Sequence, residues 1–180
     1  MKVIFLDIDG VVTSSRDNGF RDFNLHVVHW LRWVCEVAPA QIVISSTWRH
    51  SFSREFWQTV FGEYVHEDWR TPNGSRRQES GLWLSCKRGD EIAQWLEHHP
   101  EIEDYAILDD DLDMRPEQKA KFIATDPHNG ALFEHLMALR DNFGIDTFPK
   151  ADAEIYQHPN MFGRTREREV FKSAVQPKFI

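Results

Sequence analysis

Asp7 and Asp9 follow the apolar run Val3-Ile4-Phe5-Leu6, two residues apart, and Gly10 comes directly after them. Two carboxylates where a strand gives way to a turn can point in different directions. One can meet a phosphorus atom in line while the other reaches the leaving oxygen. A carboxylate attacking a phosphate anion is repelled by it, so such a pair needs a divalent cation and a fixed ammonium or guanidinium close by. Gly10 permits a sharp exit turn and lets the backbone approach a ligand closely. Asp-Gly also makes an ordinary turn, so this pair needs company before it implies chemistry.

Three further clusters provide that company. Ser45-Ser46-Thr47 follows Gln41-Ile42-Val43-Ile44, and hydroxyls at a strand tip can donate to a phosphoryl oxygen without adding charge. The alternative is an N-cap for the helix that follows, a position that favours Ser and Thr. Lys87 and Arg88 form a basic pair just before a helical stretch, and either one can neutralise a phosphate; Lys87 is preferred, with Arg88 its competitor. Asp109, Asp110, Asp111 and Asp113 follow the apolar Tyr105-Ala106-Ile107-Leu108. Carboxylates this dense repel one another unless a cation sits among them, and hard oxygen ligands suit Mg²⁺. A solvated acidic loop is less comfortable at the edge of a buried strand.

The elements that must position these residues are legible as a pattern. Short apolar runs without alternation, each ending in hydroxyls or carboxylates, fit parallel strands buried on both faces. Helix-like stretches separate them: Leu25 to Val34 before the second run, and Asp90 to Glu97 before the third, with Ile92, Trp95 and Leu96 on one side. Strand–helix alternation implies a three-layer α/β, Rossmann-like core, in which ligands bind beyond the carboxyl ends of the strands. Residues 50–86 are expected to hold one helix, Phe52 to Phe61, and a polar stretch around Thr71-Pro72-Asn73-Gly74-Ser75. Residues 115–144 are expected to hold a helix from Pro116, a strand Phe122-Ile123-Ala124, a turn at Asp126 to Gly130, and a helix through Leu139. One domain over 1–144 is expected, with 145–180 an extension packed on it or partly flexible.

The ordered set Asp7-x-Asp9-Gly10, strand-Ser45, Lys87 or Arg88, and Asp109-Asp110-x-x-Asp113 resembles the four motifs of the haloacid dehalogenase (HAD) superfamily. Finer text resembles the small HAD domains of Swiss Army knife RNA-repair proteins: Ser45-Ser46-Thr47-Trp48-Arg49, Arg88-Gly89-Asp90-Glu91-Ile92 with Trp95-Leu96, and Thr125-Asp126-Pro127 with Gly130. The resemblance implies a phosphoaspartate mechanism with Mg²⁺ as cofactor. Asp7 would be nucleophile and metal ligand. Asp9 would be general acid and then base, with its backbone carbonyl on the metal. Ser45, with or without Ser46, would hold the phosphoryl group. Lys87 or Arg88 would neutralise the transition state, and Asp109 would bind Mg²⁺ with Asp110 or Asp113 assisting. The dehalogenases lack a carboxylate at the position of Asp9, which favours phosphoryl chemistry here.

The gaps at 11–40 and 50–86 are too short for a substantial independent cap, so a capless or minimally capped site is expected. An open site suits a phosphate at a nucleic-acid end, with nucleotides as the smaller alternative. Trp48, Arg49, Trp69, Arg70, Arg76 and Arg77 are the candidates for base stacking and phosphate contact. The net charge of −8 means that any nucleic-acid partner must be held by a local basic patch. Two cysteines among 180 residues are too few for a disulfide framework, and no signal-peptide or membrane pattern is present, so a cytoplasmic enzyme is expected. The nine histidines lack zinc-ligand spacing. Two other outcomes share these residues: a catalytically silent phosphate- or nucleic-acid-binding module, and a phosphotransferase in which an acceptor other than water takes the phosphate.

Overall fold

The computed structural model describes residues 1–74, 76–77, 83–84 and 86–149. In chain order the elements are β1 (Lys2–Leu6), α1 (Leu25–Val37), β2 (Ala40–Ile44), α2 (Arg54–Phe61), β3 (Val65–Arg70), β4 (Arg76–Arg77), β5 (Trp83–Leu84), α3 (Arg88–Glu97), β6 (Asp104–Asp109), β7 (Phe122–Ala124) and α4 (Phe133–Asn142). All of them except the β4–β5 pair take part in one α/β core. Its five-stranded parallel sheet has the order β3-β2-β1-β6-β7. The chain builds outward from β1 to β3, then crosses back to place β6 on the other side of β1. Strand order therefore reverses beside β1, where α/β folds bind their ligands.

That reversal also sets the layers. Right-handed crossovers that run in opposite directions place their helices on opposite faces of the sheet. Ile92 and Trp95 of α3 pack with Val3, Phe5, Val43 and Ile107, and the Trp95 ring meets Phe5 edge-on at 5.3 Å. Alternation along the strands leaves Ile4, Leu6, Ile42 and Ile44 for the opposite face, and all four are fully buried. There α1 lies against β2, with α2 and α4 beside it. Asn24 starts α1 by accepting hydrogen bonds from the backbone of His26 and Val27, and the helix buries Val27, Val28, Leu31, Val34 and Cys35.

Several elements differ from the sequence expectation. Residues 50–86 contain β3, an edge strand that the sequence does not announce. Its Val-His-Glu-Asp-Trp-Arg text buries only Val65 and His66, so no apolar run marks it. Two short strands, β4 and β5, pair antiparallel after it. Helix α2 starts at Arg54 rather than Phe52, because Ser53 caps it and accepts from Phe56 N at 3.4 Å. The expected helix from Pro116 is a 3₁₀ turn over Pro116–Lys121. All the described secondary structure lies within the compact unit Met1–Asp146. Most of the expected extension over 145–180 lies outside the described residues. Among the described residues, no helix is long and apolar enough to cross a membrane.

Candidate active site

Strand register brings the motifs together. Leu6 of β1 pairs with Ile44 of β2 on one side and with Leu108 of β6 on the other. One residue further along each strand come Asp7, Ser45 and Asp109, side by side at the carboxyl edge. Asp7 N donates to the Leu108 carbonyl at 2.9 Å, and Ser45 N to the Leu6 carbonyl at 3.0 Å. Gly10 then turns the chain with φ +77°, and a β-carbon there would collide with the Asp110 carboxylate. The positive φ and the close approach both require glycine, so Gly10 lets Asp110 come in over the end of β1.

Asp7, Asp109 and Asp110 each offer a carboxylate oxygen within 4.8 Å of the others. Asp7 and Asp109 are buried, and Asp109 Oδ2 accepts no hydrogen bond. Burial pushes Asp7 up to about 6, countered by Arg88 and by a hydrogen bond from Ser46 and reinforced by Asp110 and Asp9. Burial, and then the neighbouring Asp7, push Asp109 up to about 8 against the pull of Arg88. Asp110 is also raised, first by burial. A buried carboxylate oxygen with no hydrogen bond beyond the Arg88 ion pair, in a cluster this reluctant to ionise, fits a hard divalent cation. Among the described residues, these three form the cluster that could hold a metal ion.

The basic partner is Arg88. Its Nη2 lies 3.4 Å from Asp7 Oδ1 and its Nε 3.2 Å from Asp109 Oδ2. Burial opposes its charge, but Asp109 and then Asp7 outweigh that and hold the guanidinium above the usual arginine range. Nη1 is buried with no partner. Lys87, the preferred residue in the sequence, is exposed and occupies the N-cap of α3, with its side chain making no cap. Asp113 supplies the capping carboxylate instead, accepting from Arg88 N at 3.0 Å, so it anchors the helix that carries the guanidinium. It is not among the three clustered carboxylates.

The hydroxyls divide their work. Ser46 hydrogen-bonds Asp7 and accepts from Trp48 N at 3.3 Å, opening the 3₁₀ turn Thr47–His50. Ser45 is fully buried, and its Oγ has no partner. An unused donor next to the Asp7 position is what a phosphoryl oxygen would accept from. Asp9 stands apart from the acidic cluster: Thr13 Oγ1 donates to its Oδ1 at 2.9 Å and Trp48 Nε1 to its Oδ2 at 2.9 Å.

Two of the candidate nucleic-acid contacts are used inside the protein. Arg49 is buried, paired with Glu91 at 2.7 Å and donating to the Ser45 and Ser46 carbonyls at 2.5 and 2.8 Å, so it is not available to a phosphate chain. Glu91 also accepts from Gly74 N at 3.0 Å. Trp48 is half-buried on Asp9. Arg70 is exposed and lies 5.1 Å over the ring of Trp69. The side chains of Arg76 and Arg77 lie outside the described residues. The Trp48–Asp9 and Arg49–Glu91 links have no spacing signal in the sequence, because they join positions 39 and 42 apart, while Thr13 acts locally, four residues after Asp9, but belongs to none of the motifs.

Comparison with known families gives one match. The model for HAD domains in Swiss Army Knife RNA repair proteins matches residues 3–135. No curated protein and no solved structure matches significantly.

Proposed function

Because the chain belongs to the family of HAD domains found in Swiss Army Knife RNA-repair proteins, which supports phosphatase-type hydrolysis in general, we propose that it is a Mg²⁺-dependent phosphatase working through a phosphoaspartate on Asp7. The observation that carries this is the Arg88 guanidinium, set 3.4 Å from Asp7 and 3.2 Å from Asp109 beside a three-carboxylate cluster at the strand ends. A buried nucleophile flanked by a cation site, a guanidinium and an unused hydroxyl matches what phosphoryl transfer demands.

Asp7 attacks phosphorus, and the bond to the leaving oxygen breaks with its electron pair staying on that oxygen, which takes a proton from Asp9. Asp9 then removes a proton from water. The water oxygen attacks the phosphoaspartate, frees inorganic phosphate and restores the Asp7 carboxylate. Ser45 and Arg88 hold the phosphoryl oxygens throughout. Asp7, Asp109 and Asp110 would hold Mg²⁺, which would supply the positive charge that lets a carboxylate approach a phosphate anion.

The proposed substrate is a terminal phosphate on a nucleic-acid end, or a nucleotide, in the reducing cytoplasm. Support comes from the family description and from the short connections. Among the described residues, the segment between β2 and α3 adds only two 3₁₀ turns, α2, the sheet strand β3 and the β4–β5 pair. The test is Mg²⁺-dependent phosphate release from p-nitrophenyl phosphate, nucleotides and 3′- or 5′-phosphorylated oligonucleotides, with Asp7→Asn beside it. Release is expected from the wild type and its loss, by at least ~10³-fold, from the variant. Full activity in Asp7→Asn overturns the mechanism, while preference for mononucleotides overturns only the nucleic-acid-end assignment. A phosphate acceptor other than water would appear as a phosphorylated product in place of inorganic phosphate.

A further inference from the structure

Asp9 is held from two sides by donors of different kinds. Thr13 Oγ1 lies 2.9 Å from Oδ1 and also 3.2 Å from the Ile8 carbonyl oxygen. Trp48 Nε1–H donates to Oδ2 at 2.9 Å. A hydroxyl can donate or accept, whereas an indole N–H only donates. When Asp9 takes a proton, the oxygen that bears it becomes a donor. On Oδ2 that hydrogen would either face the indole N–H or leave it a hydroxyl oxygen, a poorer acceptor than a carbonyl oxygen, so the hydrogen bond would weaken. On Oδ1 the neighbour adapts: Thr13 accepts the hydrogen in the resting acid and turns its own toward Ile8, and it can donate to Oδ1 again once that hydrogen is directed at the leaving oxygen.

Trp48 is well fixed for this task. Its ring stacks on Phe52 at 5.2 Å and meets Phe23 edge-on at 5.8 Å. Its backbone N–H is tied to Ser46, and the adjacent Arg49 is locked into the buried pair with Glu91. The turn fixes the backbone of Trp48, and the rings of Phe52 and Phe23 hold its indole against Asp9.

We propose that Trp48 is a positioning residue for Asp9, its indole N–H reserving Oδ2 as an acceptor so that the catalytic proton travels on Oδ1. This rests on the phosphatase proposed above. In the first half-reaction the Oδ1–H bond breaks as the phosphorus–leaving-group bond breaks. The proton goes to the leaving oxygen, which keeps the bond pair, and Asp9 becomes a carboxylate. In the second half a water proton moves to Oδ1 while the water oxygen bonds phosphorus and the Asp7–phosphorus bond opens. The Trp48 contact survives both states, so Asp9 changes protonation without changing orientation.

Trp48→Phe keeps a ring and removes the donor. With the full chain and Mg²⁺, kcat/KM, which reports steps only through leaving-group departure, is compared on p-nitrophenyl phosphate, whose leaving group departs without protonation, and on the nucleotide or oligonucleotide phosphate that the wild type turns over, whose alkoxide needs a proton. The expected result is a loss of about ten-fold on the alkyl phosphate and less than about two-fold on the aryl one. Equal losses on both, or no loss on either, overturn the proposal. A second readout needs neither turnover nor metal. In ¹⁵N-labelled protein, the indole resonance missing from Trp48→Phe should move in Asp9→Ala by more than the other tryptophan resonances, and an unmoved resonance overturns the contact. Full activity in Asp7→Asn would sink the phosphatase mechanism while leaving that spectrum intact. An enzyme silenced by Asp7→Asn, with Trp48→Phe affecting both substrates alike, would sink only the role of Trp48.

Discussion

Lys87 and Arg88 are neighbours with the same formal charge, and their different fates show how much a single helical step decides. Lys87 is the N-cap of α3 and points to solvent, while Arg88, the first residue of the helix, reaches two buried carboxylates. Consecutive helical residues are separated by about 100° of rotation, so the starting residue fixes which of the two faces the strand ends. That start is set by the Asp113 carboxylate on Arg88 N and by Gly89, where a β-carbon would collide with Gln118 and with the backbone of Met114 and Arg115. Removing Arg88 leaves Asp7 and Asp109 facing each other without the charge that separates them and a phosphoryl group without its guanidinium. Arg88→Ala should therefore lower kcat for phosphate release by about 10²–10³-fold. Lys87→Ala should stay within about two-fold, as expected for an exposed cation. Steady-state rates on one substrate decide this. A larger loss from Lys87→Ala than from Arg88→Ala would return the basic role to the lysine.

At the scale of elements, the site depends on holding the β2 loop, the start of α3 and the segment before β4 in one register, and the Arg49–Glu91 pair does this from inside. Arg49 binds the Ser45 and Ser46 carbonyls, while Glu91 binds Arg49 and Gly74 N. Both side chains are almost fully enclosed, so deleting one strands the other's charge. Glu91→Ala should destabilise the fold by about 3–5 kcal/mol in urea unfolding, whereas replacing both partners by apolar residues of similar volume should cost far less. A single deletion that costs no more than the double replacement would show that the pair is not a buried clamp. Their pairing is not readable in the sequence, because it spans 42 positions, although Arg49 and Glu91 each stand in text that carries the family resemblance. The strands β1, β2 and β6 were readable, since parallel strands covered on both faces appear as unbroken apolar runs. β3 was not, because an edge strand with charged outward residues looks like a loop. Asp7, Ser45 and Asp109 could be located because each directly follows such a run. The Trp48–Asp9 link could not, since no periodicity connects residues on different loops.

For the molecule as a whole, the acidic site opposes stability unless a cation is present, and this sets a testable dependence on pH. Asp7 and Asp109 in the folded chain sit near 6 and 8, against an ordinary 3.8. Their folded values are raised, so the folded state binds more protons than the unfolded state between those limits. Stability without metal is then greatest below about pH 4 for these groups, and it is lost as pH rises through 6 for Asp7 and through 8 for Asp109. The net charge of −8 adds repulsion in the same direction. A divalent cation bound by the ionised carboxylates must displace those protons, so its stabilisation should grow with pH over the same window. The expected outcome is a melting temperature in EDTA that falls from pH 5.5 to pH 8, and a rise on adding Mg²⁺ that is larger at pH 8. Asp109→Asn separates the site from the global charge, because its neutral amide imitates the protonated acid. It should flatten the metal-free fall across this range and remove most of the Mg²⁺ response. A Mg²⁺ shift at pH 5.5 as large as that at pH 8, or an unchanged response in Asp109→Asn, would mean that the cation binds somewhere other than Asp7, Asp109 and Asp110.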